Sequence, residues 1–117
     1  MRKVYFLSTC STSKRIINEL DLRSKDFEFQ DIKSESITEN QLSEMHKLAG
    51  SYEALFSRIA RKYKEFDLKN KSLTEEDYKA FILNEYTFLK RPVVIIDQQI
   101  FIGSSKANIQ NLGNAVN

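Results

Sequence analysis

The stretch that decides the fold is Lys3–Leu7, KVYFL, followed by Ser8–Ser13, STCSTS. The first run is dominated by β-branched and aromatic residues and predicts a β-strand, and the polar run after it predicts a turn. Beyond this turn, Ile16 and Leu20 belong to an apolar pattern with helical spacing. The sequence therefore predicts a strand, a turn that carries Cys10, and then a helix.

A second strand follows this helix. Phe27–Ile32 alternates apolar and polar residues with a period of two, which is typical of a half-buried strand. Two strands separated by one helix form a β-α-β unit, in which the strands are parallel and the crossover is right-handed.

The middle of the chain predicts three helices. Thr38 and Gln41 have the spacing of a capping box and open the first helix, which Gly50 ends. The second helix covers residues 52–66, and Thr74 opens the third. The aromatic and aliphatic residues that we expect these last two helices to carry on their apolar sides are Tyr52, Leu55, Phe56, Ile59, Tyr63, Phe66, Tyr78, Phe81 and Ile82.

The last third returns to strands. Val93–Ile96 is an uninterrupted β-branched run, as found in strands that are buried on both faces. A turn at residues 97–99 then leads into Ile100–Ile102, which we expect to pair back as a hairpin. A short helix from about Ser105 to Leu112 closes the pattern.

This order of elements predicts an α/β fold of the thioredoxin-like kind, β-α-β followed by β-β-α. The three-helix insertion stands between strands 2 and 3, at about residues 37–89. We assign residues 1–117 to one thioredoxin-like domain, because two smaller pieces could hardly bury separate cores.

Composition excludes several classes of protein. The 18 basic and 16 acidic residues leave a net charge of +2, so we do not expect nucleic acid as a partner. The apolar run Val4–Leu7 is too short for a signal sequence or a membrane span, and we expect a cytoplasmic protein with no membrane association. One Cys and one His argue against a zinc site, and a single Cys excludes an internal disulfide.

Cys10 is the candidate for chemistry. Unpaired N–H groups and the helix dipole at the predicted strand-to-helix junction favour negative charge there. Lys14 and Arg15 add cations one turn along. Both effects lower the pKa of a thiol from about 8.5, as reactive cysteines require. The alternative is a small buried Cys that only packs, but the position in the turn favours reactivity.

Ser11–Ser13 gives a C-x-x-S spacing, with a hydroxyl where a dithiol enzyme would have its second sulfur. Any turnover must then run through a mixed disulfide with an external thiol, such as glutathione or a glutaredoxin-type protein. The hydroxyls can hold a thiolate or an oxyanion, or they can serve as ordinary N-caps.

Arg91–Pro92 is the second candidate for the functional site. Proline before a buried strand is unusual, because it removes a hydrogen-bond donor from the ladder. In a thioredoxin-like fold this position faces the Cys turn, where Arg91 could clamp an anion bound to the sulfur. The alternative is a surface arginine beside a proline that starts a strand.

Two further features have simpler interpretations. No residue that could share a metal ion or an acid–base reaction with His46 stands at a characteristic spacing from it, so we expect His46 to be a solvated helix residue. The second feature is a basic stretch in the second predicted helix. Such a stretch is typical of a solvated helix face, and docking of a protein or nucleic acid is the alternative. Its residues are Arg58, Arg61, Lys62, Tyr63 and Lys64.

Three segments in order carry a family resemblance: the Cys turn Cys10–Lys14, the stretch Tyr63–Leu68 of the helical block, and Arg91–Ile95. Together they resemble the arsenate reductase-like (ArsC/Spx) family of the thioredoxin-like superfamily, and the resemblance extends from Val4 to about Ile109. It implies a cis peptide bond before Pro92. In the glutathione- and glutaredoxin-dependent arsenate reductases of this family, the Cys that matches Cys10 attacks arsenate.

The sequence departs from these reductases at the oxyanion clamp. Three arginines hold the oxyanion in them, and Arg91 matches one, whereas Ser57 and Gly103 stand at the other two positions. Charge-assisted hydrogen bonds contribute about 1.5–3 kcal/mol each, so oxyanion binding should be weaker here. The Spx branch, whose members regulate transcription, generally has a second Cys where this chain has Ser13, which excludes a dithiol switch.

The leading interpretation is a monothiol oxidoreductase of this family, with arsenate itself an open question as substrate. The predicted site has Cys10 as nucleophile, Pro92 as a structural element, and an anion-binding group of Ser11, Thr12, Ser13, Lys14 and Arg91. We expect no metal and no bound cofactor. The expected partners are a small oxyanion or thiol substrate, glutathione or another external thiol as co-substrate, and a glutaredoxin- or thioredoxin-type protein. The alternative is a non-catalytic, Spx-like interaction or transcription-regulatory module.

Overall fold

A computed structural model describes every residue from Met1 to Asn117. Its four strands are β1 (Arg2–Phe6), β2 (Glu28–Asp31), β3 (Val93–Ile96) and β4 (Gln99–Ile102). Its five α-helices are α1 (Ser11–Glu19), α2 (Glu39–Ala49), α3 (Arg61–Glu65), α4 (Glu75–Asn84) and α5 (Lys106–Val116). The predicted α/β class, with three helices between the second and third strands, is confirmed.

The chain divides into two compact units. The sheet unit consists of Met1–Ser36 and Arg91–Asn117, and the helical unit consists of Ile37–Lys90. The helical unit covers almost the same residues as the predicted insertion at 37–89. The assignment of the whole chain to one domain stays a prediction.

The four strands form one mixed sheet in the order β2-β1-β3-β4. β1 runs parallel to β2 and antiparallel to β3, with Val4 opposite Val94, and β3 and β4 form the predicted hairpin. Because β1 and β2 are parallel, their carboxyl ends lie at the same edge of the sheet. The turn that contains Cys10 leaves the sheet at this edge.

The core of the sheet unit lies between one face of the sheet and helices α1 and α5. Alternate residues of a strand point to the same face, so Val94 and Ile96 of β3 both enter this core. The other buried members of the core are Val4, Ile16, Ile17, Leu22, Phe101, Leu112 and Val116. Helix α1 is therefore held against β1 by apolar contacts along its inner side.

Capping boxes start two helices of the helical unit, as the sequence predicts for the first of them. Thr38 Oγ1 accepts a hydrogen bond from the Gln41 N–H at 3.0 Å, and the Gln41 side chain returns one to the Thr38 N–H at 3.0 Å. Thr74 and Asp77 make the same pair at the start of α4. Gly50 ends α2 with a φ of 91°, which a residue with a Cβ rarely adopts.

The predicted helix over residues 52–66 is wrong. A single 3₁₀ turn at Glu53–Leu55 is followed by extended backbone at Phe56, which bridges to Leu89, and α3 begins only at Arg61. Leu55, Phe56 and Ser57 are all buried. A helix with one apolar stripe cannot bury three successive residues, whereas an extended segment between two packed surfaces can. Ile59, which we expected on the apolar side of that helix, is 92% exposed.

Smaller differences concern helix ends and length. Helix α1 begins at Ser11 rather than near Ser13, and α5 continues to Val116 rather than Leu112. The extension of α5 places Leu112 and Val116 four residues apart on the buried side.

None of the helices has both the length and the apolar character that crossing a membrane requires.

An aromatic cluster forms the core of the helical unit. The Phe56 ring is completely buried, and its centroid lies 4.8 Å from that of Tyr78, 5.0 Å from that of Phe88 and 6.0 Å from that of Tyr63. Phe66 lies at the margin of the same cluster and is 44% exposed. Aromatic pairs at these separations stabilise a core beyond the area that they bury.

We expect Phe56→Ala to lower the free energy of unfolding by about 3–5 kcal/mol, because it leaves a cavity among several rings. Phe66→Ala is the matched control, and its loss should be less than half as large because that ring is partly solvated. Urea denaturation followed by circular dichroism measures both losses. Equal losses for the two variants would show that Phe56 contributes no more than Phe66 to the stability of the helical unit.

Candidate functional site

Cys10 occupies the N-cap position of α1. β1 ends at Phe6, and the chain turns through a hydrogen bond from the Cys10 N–H to the Leu7 carbonyl at 2.9 Å. The Cys10 backbone is extended, with φ of −97° and ψ of 108°, and its side chain is half-buried. The thiol therefore lies at the end of a nine-residue helix where unpaired N–H groups accumulate.

The expectation that Ser11, Thr12 or Ser13 caps this helix is wrong. Cys10 itself is the N-cap residue, and the neutral thiol completes no capping hydrogen bond. Ser11 is exposed, Thr12 is half-buried, and Ser13 is fully buried in the first turn. The reason is the early start of α1, which places Ser13 inside the helix and turns its side chain away from solvent.

Ser13 Oγ has no hydrogen-bond partner within the protein. Leaving a buried hydroxyl unpaired costs about 1–3 kcal/mol, so such groups are rare in native proteins. The neighbour that this hydroxyl faces is the Cys10 side chain, whose ionised form it stabilises. The first turn of α1 thus holds donors that the neutral thiol leaves free.

Arg91 and Pro92 approach the same thiol from the start of β3. The Arg91–Pro92 peptide bond is cis, as the resemblance implies, and the Pro92 carbonyl accepts a hydrogen bond from Gly103 N–H at 2.9 Å. Pro92 is buried and Arg91 is half-buried. The guanidinium of Arg91 acts on Cys10 both by hydrogen bonding and by its charge.

These contacts set the acidity of the thiol. Partial burial alone raises the pKa of Cys10, but the N–H and hydroxyl of Ser13 and the guanidinium of Arg91 lower it. The lowering contributions together exceed the effect of burial, so the pKa of Cys10 lies below its ordinary value. Arg15, which we expected to assist, instead pairs with Glu19 at 3.3 Å.

Asp31, at the end of β2, fixes the Cys turn from the adjacent strand. Its Oδ1 accepts hydrogen bonds from the Ser8 N–H at 3.1 Å and from the Lys33 N–H at 3.2 Å. Burial raises the pKa of Asp31, but hydrogen bonds from Ser8, Lys33 and Ser34 outweigh it and hold that pKa below the usual range. The carboxylate is therefore ionised at neutral pH and anchors the residue two positions before Cys10.

The sequence analysis missed Asp31. The available signal was an aspartate at the carboxyl end of the second strand of a β-α-β unit, because parallel strands bring their carboxyl ends to one edge. Asp31 belongs to no recognisable sequence motif, so its position beside the Cys turn follows only from the parallel pairing of β1 with β2.

A pocket of about 340 Å³ is lined by residues of α1, the end of β1 and the 3₁₀ turn after α1. Its lining combines two cations, two apolar side chains and two polar residues: Lys14, Arg23, Phe6, Ile17, Ser8 and Asn18. Arg23 lies over the Phe29 ring at 4.6 Å from the centroid, and neither Arg23 nor Lys14 has a carboxylate partner. We call this the α1 pocket. Arg23 is a second residue that the sequence analysis missed.

The remaining candidates are Ser57 and His46. Ser57 belongs to the helical unit and is buried, and its N–H donates to the Phe88 carbonyl at 2.7 Å. His46 is not a freely solvated residue as expected, because its ring stacks on Tyr52 with 4.0 Å between centroids. No cluster of three or more His, Cys, Asp and Glu side chains suited to a metal ion is found.

Comparison with solved structures places this fold among known ones. An arsenate reductase from Vibrio cholerae is 18% identical, with a TM-score of 0.76 over 95% of this chain and 94% of that chain. An arsenate reductase (ArsC) related protein from Brucella melitensis is 21% identical, with a TM-score of 0.72 over 94% and 92%. A protein from Staphylococcus aureus is 26% identical, with a TM-score of 0.75 over 95% and 97%. The sheet and its inserted helices are thus the thioredoxin-like arrangement of these proteins.

Comparison of the sequence itself gives the family. No curated protein matches the chain significantly. The family model described as the ArsC family matches residues 5–112, which include the Cys turn, the helical unit and the Arg91–Pro92 segment. The chain belongs to the ArsC family.

Proposed function

We propose that this protein is a thiol-dependent oxidoreductase of the arsenate reductase-like type, with Cys10 as its single nucleophile. The observation that carries the proposal is the buried Ser13 hydroxyl, which has no partner while Cys10 is a neutral thiol. Ionisation of Cys10 gives this donor an acceptor, and the Arg91 guanidinium supplies the opposite charge. A cysteine that merely packs would need neither group.

The cycle follows from the single cysteine. The Cys10 thiolate attacks the glutathione sulfur of a mixed disulfide, an S–S bond forms to Cys10, and the other thiol leaves as a thiolate that takes up a proton. A second glutathione thiolate then attacks the glutathione sulfur of the adduct, oxidised glutathione leaves, and the Cys10 thiolate is regenerated. A glutaredoxin-type thiol can replace the second glutathione. The cycle needs a reduced thiol pool, which fits the cytoplasm.

Arsenate is the less favoured oxidised substrate. Gly103 offers no side chain for an oxyanion, and Ser57 offers no charge at the other position where the reductases have an arginine. Each missing charge-assisted hydrogen bond weakens binding by more than about tenfold. A disulfide sulfur needs no three-arginine clamp, so mixed disulfides match the groups present better.

The α1 pocket favours an anionic thiol as the electron donor. Lys14 and Arg23 have no carboxylate partner, and Phe6 and Ile17 supply an apolar wall beside them. Glutathione carries two carboxylates along a flexible backbone, which the two cations can receive while its sulfur approaches Cys10.

We expect the thiol of Cys10 to titrate below the ordinary value of about 8.5 when iodoacetamide alkylation is followed against pH. Ser13→Ala and Arg91→Ala should each raise the midpoint, whereas Arg15→Ala, whose guanidinium pairs with Glu19, should leave it unchanged. Because the pKa of Cys10 is lower in the folded than in the unfolded chain, ionisation of Cys10 stabilises the folded state at pH values above the pKa of the unfolded chain. This stabilisation is lost as the pH falls through the pKa that Cys10 has in the folded state. A midpoint at or above 8.5 would contradict the proposal.

Cys10→Ser should abolish the glutathione-dependent reduction of bis(2-hydroxyethyl) disulfide, because the chain has no second thiol. The wild-type protein should reduce this disulfide more efficiently, in kcat/KM, than it reduces arsenate in a glutaredoxin-coupled assay. Circular dichroism of the variant checks that the fold is retained. Activity that survives in Cys10→Ser would rule out the proposed nucleophile.

The double variant Lys14→Gln/Arg23→Gln should lower the rate constant for release of the Cys10 adduct by glutathione about tenfold, because two charge contacts are removed. Release by 2-mercaptoethanol, which has no carboxylate, should change less than about twofold. Arg15→Gln is the matched control on the same helix. Equal losses for both thiols would show that the two cations do not select the donor.

A further inference from the structure

Ile59 lies on the surface of the helical unit and is 92% exposed. Its backbone is held firmly on both sides: the Ser57 N–H donates to the Phe88 carbonyl at 2.7 Å, and Ala60 is buried and accepts from the Tyr63 N–H at 3.0 Å. The side chain is therefore presented to solvent by an ordered segment. A single exposed apolar side chain is common and carries no proposal by itself.

The charges around Ile59 supply the second observation. Ile59 and Tyr63 line a pocket of about 490 Å³ together with the cations Arg61, Lys64 and Lys69. None of these three cations makes an ion pair or a hydrogen bond with a carboxylate. We call this surface the basic pocket.

The other charged residues in the lining do not neutralise it. Arg58 is already engaged, because its Nη2 donates to Glu53 Oε2 at 2.7 Å and to the Tyr78 hydroxyl at 3.1 Å. The one carboxylate in the lining, Asp67, accepts a hydrogen bond from Asn70 at 2.7 Å, and its single negative charge can offset only one of the three cations. The basic pocket thus keeps an excess of positive charge around an apolar wall.

We propose that the basic pocket binds an acidic segment of a partner protein, with an apolar side chain of that segment packed on Ile59 and Tyr63. Carboxylates of the segment face Arg61, Lys64 and Lys69. Such complementarity raises association rates and excludes basic partners. The surface lies in the helical unit and is independent of the chemistry proposed for Cys10.

The apolar wall favours polypeptide over nucleic acid. The phosphates of a nucleic acid would pair with the cations, but they are charged and would not pack on Ile59. Sequence-independent nucleic-acid binding also relies on many phosphate contacts and on a strongly basic domain, whereas the net charge of this chain is +2. A carboxylate-rich segment with an aromatic or aliphatic residue satisfies both parts of the surface.

Binding of labelled acidic polypeptides to the full chain tests this proposal by fluorescence anisotropy. We expect a glutamate–tyrosine copolymer to bind more tightly than polyglutamate of the same length, and its affinity to fall as salt is raised. Ile59→Ser should remove the advantage of the copolymer and leave polyglutamate binding unchanged. Arg61→Glu/Lys64→Glu should weaken both polymers by about fivefold or more.

Lys33→Glu/Lys106→Glu is the matched control, since it changes the net charge equally at two exposed lysines outside the basic pocket. An equal loss in this control would overturn the proposal, because binding would then follow total charge. Equal binding of the two polymers would also overturn it. Tighter binding of single-stranded DNA than of the copolymer, lost in Arg61→Glu/Lys64→Glu, would assign the surface to nucleic acid instead.

Discussion

The first turn of helix α1 contains hydrogen-bond donors that nothing in the protein satisfies while Cys10 remains protonated. The N-cap residue is the cysteine itself, it forms no capping bond as a thiol, and the Ser13 hydroxyl beside it is buried without a partner. A helix that begins in this way is more stable when negative charge occupies its N-terminus. The rest of the sheet unit holds this turn in place through the contacts of Asp31 and of the core side of α1.

Three contacts from different parts of the chain converge on the turn. Ile16 and Ile17 fix α1 against the core face of the sheet, and Asp31 at the end of β2 binds the Ser8 N–H within the turn. The segment before β3 brings the Arg91 guanidinium to the thiol. These elements are distant in sequence, so the acidity of Cys10 is a property of the parallel β1–β2 pair and the antiparallel β1–β3 pair together.

The sequence was informative where local patterns determine structure. The strand, the Cys turn, the Thr38 capping box and the Val93–Ile96 strand all follow from residue type and spacing over a few positions. The interpretation of residues 52–66 as a helix failed because their apolar spacing also fits an extended segment, and burial of Leu55, Phe56 and Ser57 decides the matter. Asp31, Arg23 and the buried state of Ser13 depend on strand register and helix start, which no short window reveals.

The two proposed surfaces lie in different units and use charge differently. At Cys10 the Ser13 donors and the Arg91 guanidinium act on one thiol, whereas the basic pocket offers several cations around Ile59. The chemistry proposed for Cys10 is tested most directly by intact-protein mass spectrometry after the protein has been exposed to oxidised glutathione at neutral pH. We expect one glutathionyl group per chain, attached at Cys10 and released by reduced glutathione. A chain that stays unmodified, or an adduct that reduced glutathione cannot release, would contradict it.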